Sequence, residues 1–120
     1  MLDGRPRICI DFDHTIHGYD GWEPGHSVTY IPGEPLPGAR EAIAALRKDH
    51  EIVILSCRAE KVTGRRAIAK WLKGHGIEVD HITDRKVPAV VYVDDRAVHF
   101  YGDWRETLKD IRHFRRWRGR

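Results

Sequence analysis

Apolar positions in this chain come in short bursts, each ended by polar or glycine-rich sequence. Arg7-Ile-Cys-Ile-Asp11 and Glu51-Ile-Val-Ile-Leu-Ser56 are β-branched runs of strand length without alternation, and they predict buried strands. Ala89-Val-Val-Tyr-Val93 predicts another of the same kind, while Ile77–Thr83 and Val98–Phe100 predict shorter ones. Elsewhere the spacing becomes helical. Ala39–Lys48 is built of helix formers with Ile43 and Leu46 on one side. Lys61–Lys73 carries Val62, Ile68, Trp71 and Leu72 among basic residues and is stopped by Gly74 or Gly76. A last helix starts at an Asp103 cap and aligns Trp104, Leu108, Ile111 and Phe114. Phe12 to Gly38, in contrast, is interrupted by Gly and Pro throughout and predicts a long loop with one hairpin, a length that in a small domain is usually functional or mobile.

Strands alternating with helices predict an α/β fold: a three-layer, Rossmann-like arrangement with a mainly parallel sheet flanked by helices. The 120 residues suit a single domain, 1–120, that buries roughly two-thirds of its unfolded surface. A content of 41% hydrophobic and 32% charged residues excludes disordered and membrane classes. No apolar run approaches the ~18 residues of a membrane span, and the opening MLDGRPR does not read as a secretory leader. Cys9 and Cys57, far apart, read as two buried thiols in a reducing cytoplasm rather than a disulfide. The net charge of +3 is unevenly placed: Arg105 to Arg120 holds seven basic and two acidic residues, 7 − 2 = +5, which leaves −2 for the rest. The basic character therefore belongs to the C-terminal segment, with residues 112–120 as its tail.

Ligands of parallel sheets bind beyond the carboxyl ends of the strands. Asp11 and Asp13 follow the first strand, Ser56 the second, and Asp94 and Asp95 the run ending at Val93. The predicted topology brings all five to one edge. Carboxylates from separate strands repel one another unless a cation lies between them. Asp11, Asp94 and Asp95 form a hard oxygen set suited to Mg²⁺, which accepts a few carboxylates, water and phosphate oxygens. Lys86, just upstream of the last acidic strand, and Ser56 add the amine and hydroxyl that a phosphoryl group requires.

These residues resemble the haloacid dehalogenase-like (HAD-like) phosphohydrolases. ICIDFDHT (Ile8–Thr15) is similar to their first motif, IVILSC (Ile52–Cys57) to the second, Lys86 to the third and VVYVDD (Val90–Asp95) to the fourth, all in order. The resemblance implies a Mg²⁺-dependent phosphatase in which Asp11 is the nucleophile and a metal ligand. It implies that Asp13 protonates the leaving group and then activates water, its backbone carbonyl also meeting the metal. Thr15 would steady the loop, Ser56 and Lys86 would bind the phosphoryl group, and Asp94 and Asp95 would hold Mg²⁺. His14 stands where many relatives have Gly. Neither stretch that could carry a cap domain is long enough for a folded one, which implies an open site. Arg58 and Arg96 also resemble the Ser-x-Arg and Asp-Asp-Arg stretches of polynucleotide 3′-phosphatase domains, which points to a nucleotide or nucleic-acid 3′-phosphate as substrate. The alternative is a nucleic-acid-binding module that keeps the fold with little catalysis. It leans on Arg112, Arg115, Arg116, Trp117, Arg118 and Arg120.

Three further features have a plainer reading beside the functional one. His14 and His17 lack a Cys/His cluster and read as loop histidines rather than a transition-metal pair. Tyr19 and Trp22 serve equally as packing anchors of the long loop or as stacking platforms. A basic helix end also complements the helix dipole, so the C-terminal arginines fit a solvated tail.

Overall fold

β1 (Arg7–Asp11) is the strand around which the others assemble. It pairs in parallel with β4 (Glu51–Leu55) on one side, Ile8 facing Ile52 and Ile10 facing Ile54, and with β6 (Val91–Val93) on the other, Ile8 facing Val91 and Ile10 facing Val93. β5 (His81–Thr83) adds to β4, giving the order β5-β4-β1-β6. The structure, a computed structural model, describes residues 4–18 and 27–115. Tyr19, Trp22, Arg116, Trp117, Arg118 and Arg120 lie outside them.

Side chains alternate across a strand, so the register sorts the sheet into two faces. Ile8, Ile10, Ile52, Ile54 and Ile82 share one face. Ile43 of α1 (Ala39–Arg47) and Ile68 and Leu72 of α2 (Val62–Gly74) close over it, with Phe12, Ile16 and Ile77 completing the core. These helices lie on the β1-to-β4 and β4-to-β5 crossovers of the parallel sheet. On the other face Cys9 and Val53 are buried, and Arg7 pairs with the fully buried Glu51. This face is covered differently. The connection from β5 to β6 holds no helix; it is fastened by the Tyr92 hydroxyl to the Val87 carbonyl (2.6 Å) and by Arg7 Nη1 to the Pro88 carbonyl (3.1 Å).

Two short strands, β2 (His17–Gly18) and β3 (Glu34–Pro35), pair antiparallel as a ribbon within the predicted loop. Asp80 ties the other end of the sheet: it accepts from the Ile52 amide (2.8 Å) and from Arg47 Nη2 (3.2 Å), and Arg5 Nη1 reaches the Arg47 carbonyl at 2.7 Å. α3 (Trp104–Arg112) begins at Asp103, whose carboxylate accepts from the Arg105 amide at 2.9 Å, as the cap pattern predicts. No helix among the described residues is long and apolar enough to cross a membrane.

Several expectations need correction. Val98–Phe100 is not a strand, and only the last three residues of Ile77–Thr83 are. The strand expected over Ala89–Val93 is confined to Val91–Val93 and is not buried: Val91, Tyr92 and Val93 are 46%, 40% and 43% exposed, with no helix among the described residues closing over them. Cys57 is exposed, since the chain turns into a 3₁₀ segment (Cys57–Glu60) immediately after the strand; only Cys9 is a buried thiol.

Candidate active site

β1 ends on Asp11, and the chain then folds back tightly on itself. The Phe12 carbonyl accepts from the amides of Ile16 (2.9 Å) and His17 (3.0 Å), which sets residues 13–15 over the carboxyl end of the sheet. The turn needs one residue in the left-handed region, and His14 takes it with φ 67°. This is the position where a glycine would be unstrained, and here an imidazole 9% exposed lines the cleft instead. Thr15 Oγ1 donates to Asp11 Oδ2 at 3.1 Å, so the hydroxyl steadies the carboxylate directly.

Because β1 and β6 are adjacent and parallel, Asp11 and the Asp94-Asp95 pair emerge side by side. Asp11, Asp94 and Asp95 each offer a carboxylate oxygen within 4.8 Å of the others. Asp94 Oδ1 accepts from the Arg96 amide at 2.8 Å, a short turn that fixes the pair as the chain leaves β6. The convergence has an electrostatic signature. Burial, a hydrogen bond to Asp95 and the charges of Asp94 and Asp95 push Asp11 up to about 8, against the opposing bond from Thr15. Three carboxylates at this spacing could hold a metal ion.

Asp13 faces the opposite electrostatic situation. Its Oδ2 accepts from Arg58 Nε at 2.8 Å, and its Oδ1 accepts from Arg58 Nη2 at 3.1 Å and lies 3.0 Å from His17 Nδ1. Burial works against the charge, but the bonds from His17 and Arg58 prevail and hold Asp13 below the ordinary carboxylate range. The His17 tautomer follows from its other nitrogen. Nε2 accepts the Gly33 amide at 2.9 Å, so the proton sits on Nδ1 and points at Asp13. His17 is fully buried, stacked on Phe12 and set against Trp71. The carboxylate of Asp13 is thus committed to His17 and Arg58 and does not join the three-acid cluster.

Arg58, 4% exposed, also donates through Nη1 to the Val28 and Tyr30 carbonyls, both at 2.9 Å. One guanidinium therefore joins the turn after β1, the 3₁₀ segment after β4 and the end of the long loop. Gly64 makes room for it: a Cβ there would lie 1.9 Å from the Arg58 carbonyl oxygen. Ser56 is buried, and its hydroxyl accepts from the Arg58 amide at 3.2 Å.

Asp11, Asp13, His14, Ser56, Arg58, Asp94, Asp95 and Arg96 line one cleft of about 450 Å³, with Cys57 and Val28 at its wall. Lys86 does not line it. Its ammonium sits 4.8 Å from the centroid of the Tyr92 ring. Thr15 acts through Asp11 from behind the cleft wall. Sequence reasoning missed three contributors. His17 stands four residues after Asp13, a spacing with no signature of its own, and Val28 and Gly64 are recognisable only once Arg58 is placed. A larger groove of about 680 Å³ between α2 and β5 shares none of these residues, and its acids Glu78 and Asp80 are engaged by Arg47.

Comparison of the chain with family models, with curated proteins and with solved structures gave no match.

Proposed function

We propose that the protein is a metal-dependent phosphatase of the HAD-like kind that hydrolyses a phosphate monoester through an aspartyl-phosphate on Asp11. The observation that carries this reading is the meeting of Asp11 with Asp94 and Asp95 within 4.8 Å at the carboxyl ends of two adjacent strands. A divalent cation bound there by the three carboxylates would draw Asp11 into its ionised form and neutralise the phosphate oxygens.

This chain's own groups then divide the work. An ionised Asp11 oxygen attacks phosphorus, and the bond to the ester oxygen breaks; the departing alkoxide takes a proton from water. Ser56, in the same cleft, offers its hydroxyl to the phosphoryl oxygens. Asp13, held ionised by Arg58 and His17, is suited to the second half of the cycle. It takes a proton from the water that attacks the acyl phosphate, and the products are inorganic phosphate and the restored Asp11 carboxylate. Arg96, which lines the same cleft, is placed to meet the remainder of a phosphorylated substrate, a nucleotide or polynucleotide 3′-phosphate among them.

The test is phosphate release from a panel of sugar phosphates, mononucleotides and 3′- and 5′-phosphorylated oligonucleotides with Mg²⁺. The proposal expects turnover that EDTA removes and Asp11→Asn abolishes. Absence of turnover across the panel, with metal binding demonstrated, would end it.

A further inference from the structure

Among the described residues, two surfaces lack what each would normally pack against. The first is the β6 end of the sheet. The apolar rows Ile52–Ile8–Val91 and Ile82–Ile54–Ile10–Val93 run across one face. Their isoleucines on β1 and β4 are at most 5% exposed, yet Val91 and Val93 are 46% and 43% exposed. The rows continue; their cover does not. The outer edge of β6 pairs with no strand among the described residues, and it carries no charge or proline to discourage pairing.

The second is α3. Trp104, Leu108 and Ile111, with Phe114 just beyond the helix, form a stripe at helical spacing, yet Trp104 is 71% and Ile111 54% exposed. Only Thr107 of this helix is buried. The Phe100 ring lies tilted against Trp104, centroids 5.2 Å apart, and extends the stripe. With aromatic side chains of about 150–250 Å² each, the apolar and aromatic residues between Val90 and Phe114 leave on the order of 1,000 Å² accessible. A standard interface takes about 800 Å² from each partner.

We infer that the protein is a two-fold dimer in which α3 of each chain covers the β6 end of the other's sheet. A helix stripe without a sheet and a sheet edge without a helix, both on one chain, satisfy each other when two copies meet about a two-fold axis. The charges agree with a like partner. At 100° per residue, Arg105 and Arg112 border the stripe on one side and Asp110 on the other, so no single-sign field opposes a second copy. The arrangement also reaches the acidic cluster, because β6 leads directly into Asp94 and Asp95, and a covered β6 holds them more firmly. The inference does not depend on the phosphatase reading.

Size-exclusion chromatography with light scattering, in reductant and at micromolar concentration, tests it. The wild-type chain is expected at twice its 13.9 kDa mass. Leu108→Asp combined with Ile111→Asp is expected at the single-chain mass with its far-UV circular dichroism retained, while Lys109→Asp, on the polar side of α3, remains dimeric. Should the double variant fail to fold, the wild type alone decides: the melting temperature of a folded dimer rises with protein concentration, and that of a monomer does not. A wild-type monomer, a double variant of unchanged mass, or a melting temperature independent of concentration would each overturn the inference.

Discussion

Arg58 and Asp13 are joined side-on, Nε to Oδ2 at 2.8 Å and Nη2 to Oδ1 at 3.1 Å, across 45 residues of chain. The guanidinium is almost fully buried, so the pair is a structural joint as much as an electrostatic one. Asp13 is 32% exposed and keeps its bond to His17 when Arg58 is lost, so removing the guanidinium costs less than breaking a fully buried pair, about 2 kcal/mol. Arg58→Ala is therefore expected to lower unfolding stability by about that amount, and further if the Val28 and Tyr30 carbonyls stay dry. In a double-mutant cycle measured by urea unfolding, adding Asp13→Asn to Arg58→Ala should cost much less than the sum of the two. Additive costs would mean that the joint contributes nothing.

Gly64 is expected to reject even a methyl group. Alanine favours a helix over glycine by about 1 kcal/mol, so on an open surface Gly64→Ala would stabilise. Here the new Cβ meets the Arg58 carbonyl at 1.9 Å and its carbon at 2.8 Å, both backbone atoms that cannot step aside. Overpacking of this kind costs about 3 kcal/mol. Thermal unfolding should show a clear loss, together with weaker phosphate release as Arg58 and Asp13 are displaced.

At His14 the backbone, not the ring, sets the comparison to make. Its φ of 67° strains every residue with a Cβ, by about 1–2 kcal/mol. His14→Ala and His14→Gly both remove the imidazole, but only the glycine relieves the backbone. The glycine variant is expected to be more stable than the alanine variant by about 1 kcal/mol in chemical denaturation. Equal stabilities would show that the turn relaxes.

The raised Asp11 makes both metal affinity and stability depend on pH. Between the ordinary carboxylate range and about 8, the folded metal-free protein keeps a proton on Asp11 that the unfolded chain has released. The folded state then binds more protons, so its stability falls as pH rises through that window. Cation binding requires the ionised form and displaces the proton. Mg²⁺ affinity should thus increase with pH and level off above about 8, and calorimetry in two buffers of different ionisation enthalpy should detect proton release at pH 6. Affinity independent of pH would remove Asp11 from the ligand set.

Asp11→Asn should separate stability from activity. The amide removes a like charge from the cluster, so the metal-free variant is expected to melt above the wild type at pH 8, where self-repulsion is greatest. On the proposed mechanism the same variant lacks its nucleophile and should form no phosphate. Residual turnover at the wild-type rate would exclude an aspartyl-phosphate on this residue.

The parts of the fold that local chemistry dictates were legible in the sequence. β1 and β4 are runs of Ile, Val and Leu that can only be buried, and Asp103 caps α3 where a short polar side chain precedes an amphipathic run. The meeting of Asp11 with Asp94 and Asp95 follows from strand order alone, since adjacent parallel strands end at the same edge. What local sequence does not show depends on long-range cover. Val91-Tyr92-Val93 has the composition of a core strand and lies open, because burial belongs to the neighbour that covers a strand and not to the strand. Lys86 is near the fourth motif in sequence but is drawn to Tyr92 by a connection whose path no local pattern records. Arg58 reads as a phosphate ligand from Ser-x-Arg; its carboxylate and carbonyl partners come from segments about 30 and 45 residues earlier.

Cys57 stands exposed at the cleft wall beside Ser56, while burial pushes the Cys9 thiol up and out of reach of reagents. A maleimide fluorophore will therefore attach at one place only, next to the acidic cluster, in the unmodified chain. The protein comes with its own reporter: quenching or protection of that label can follow cation and phosphate occupancy before any substrate is known.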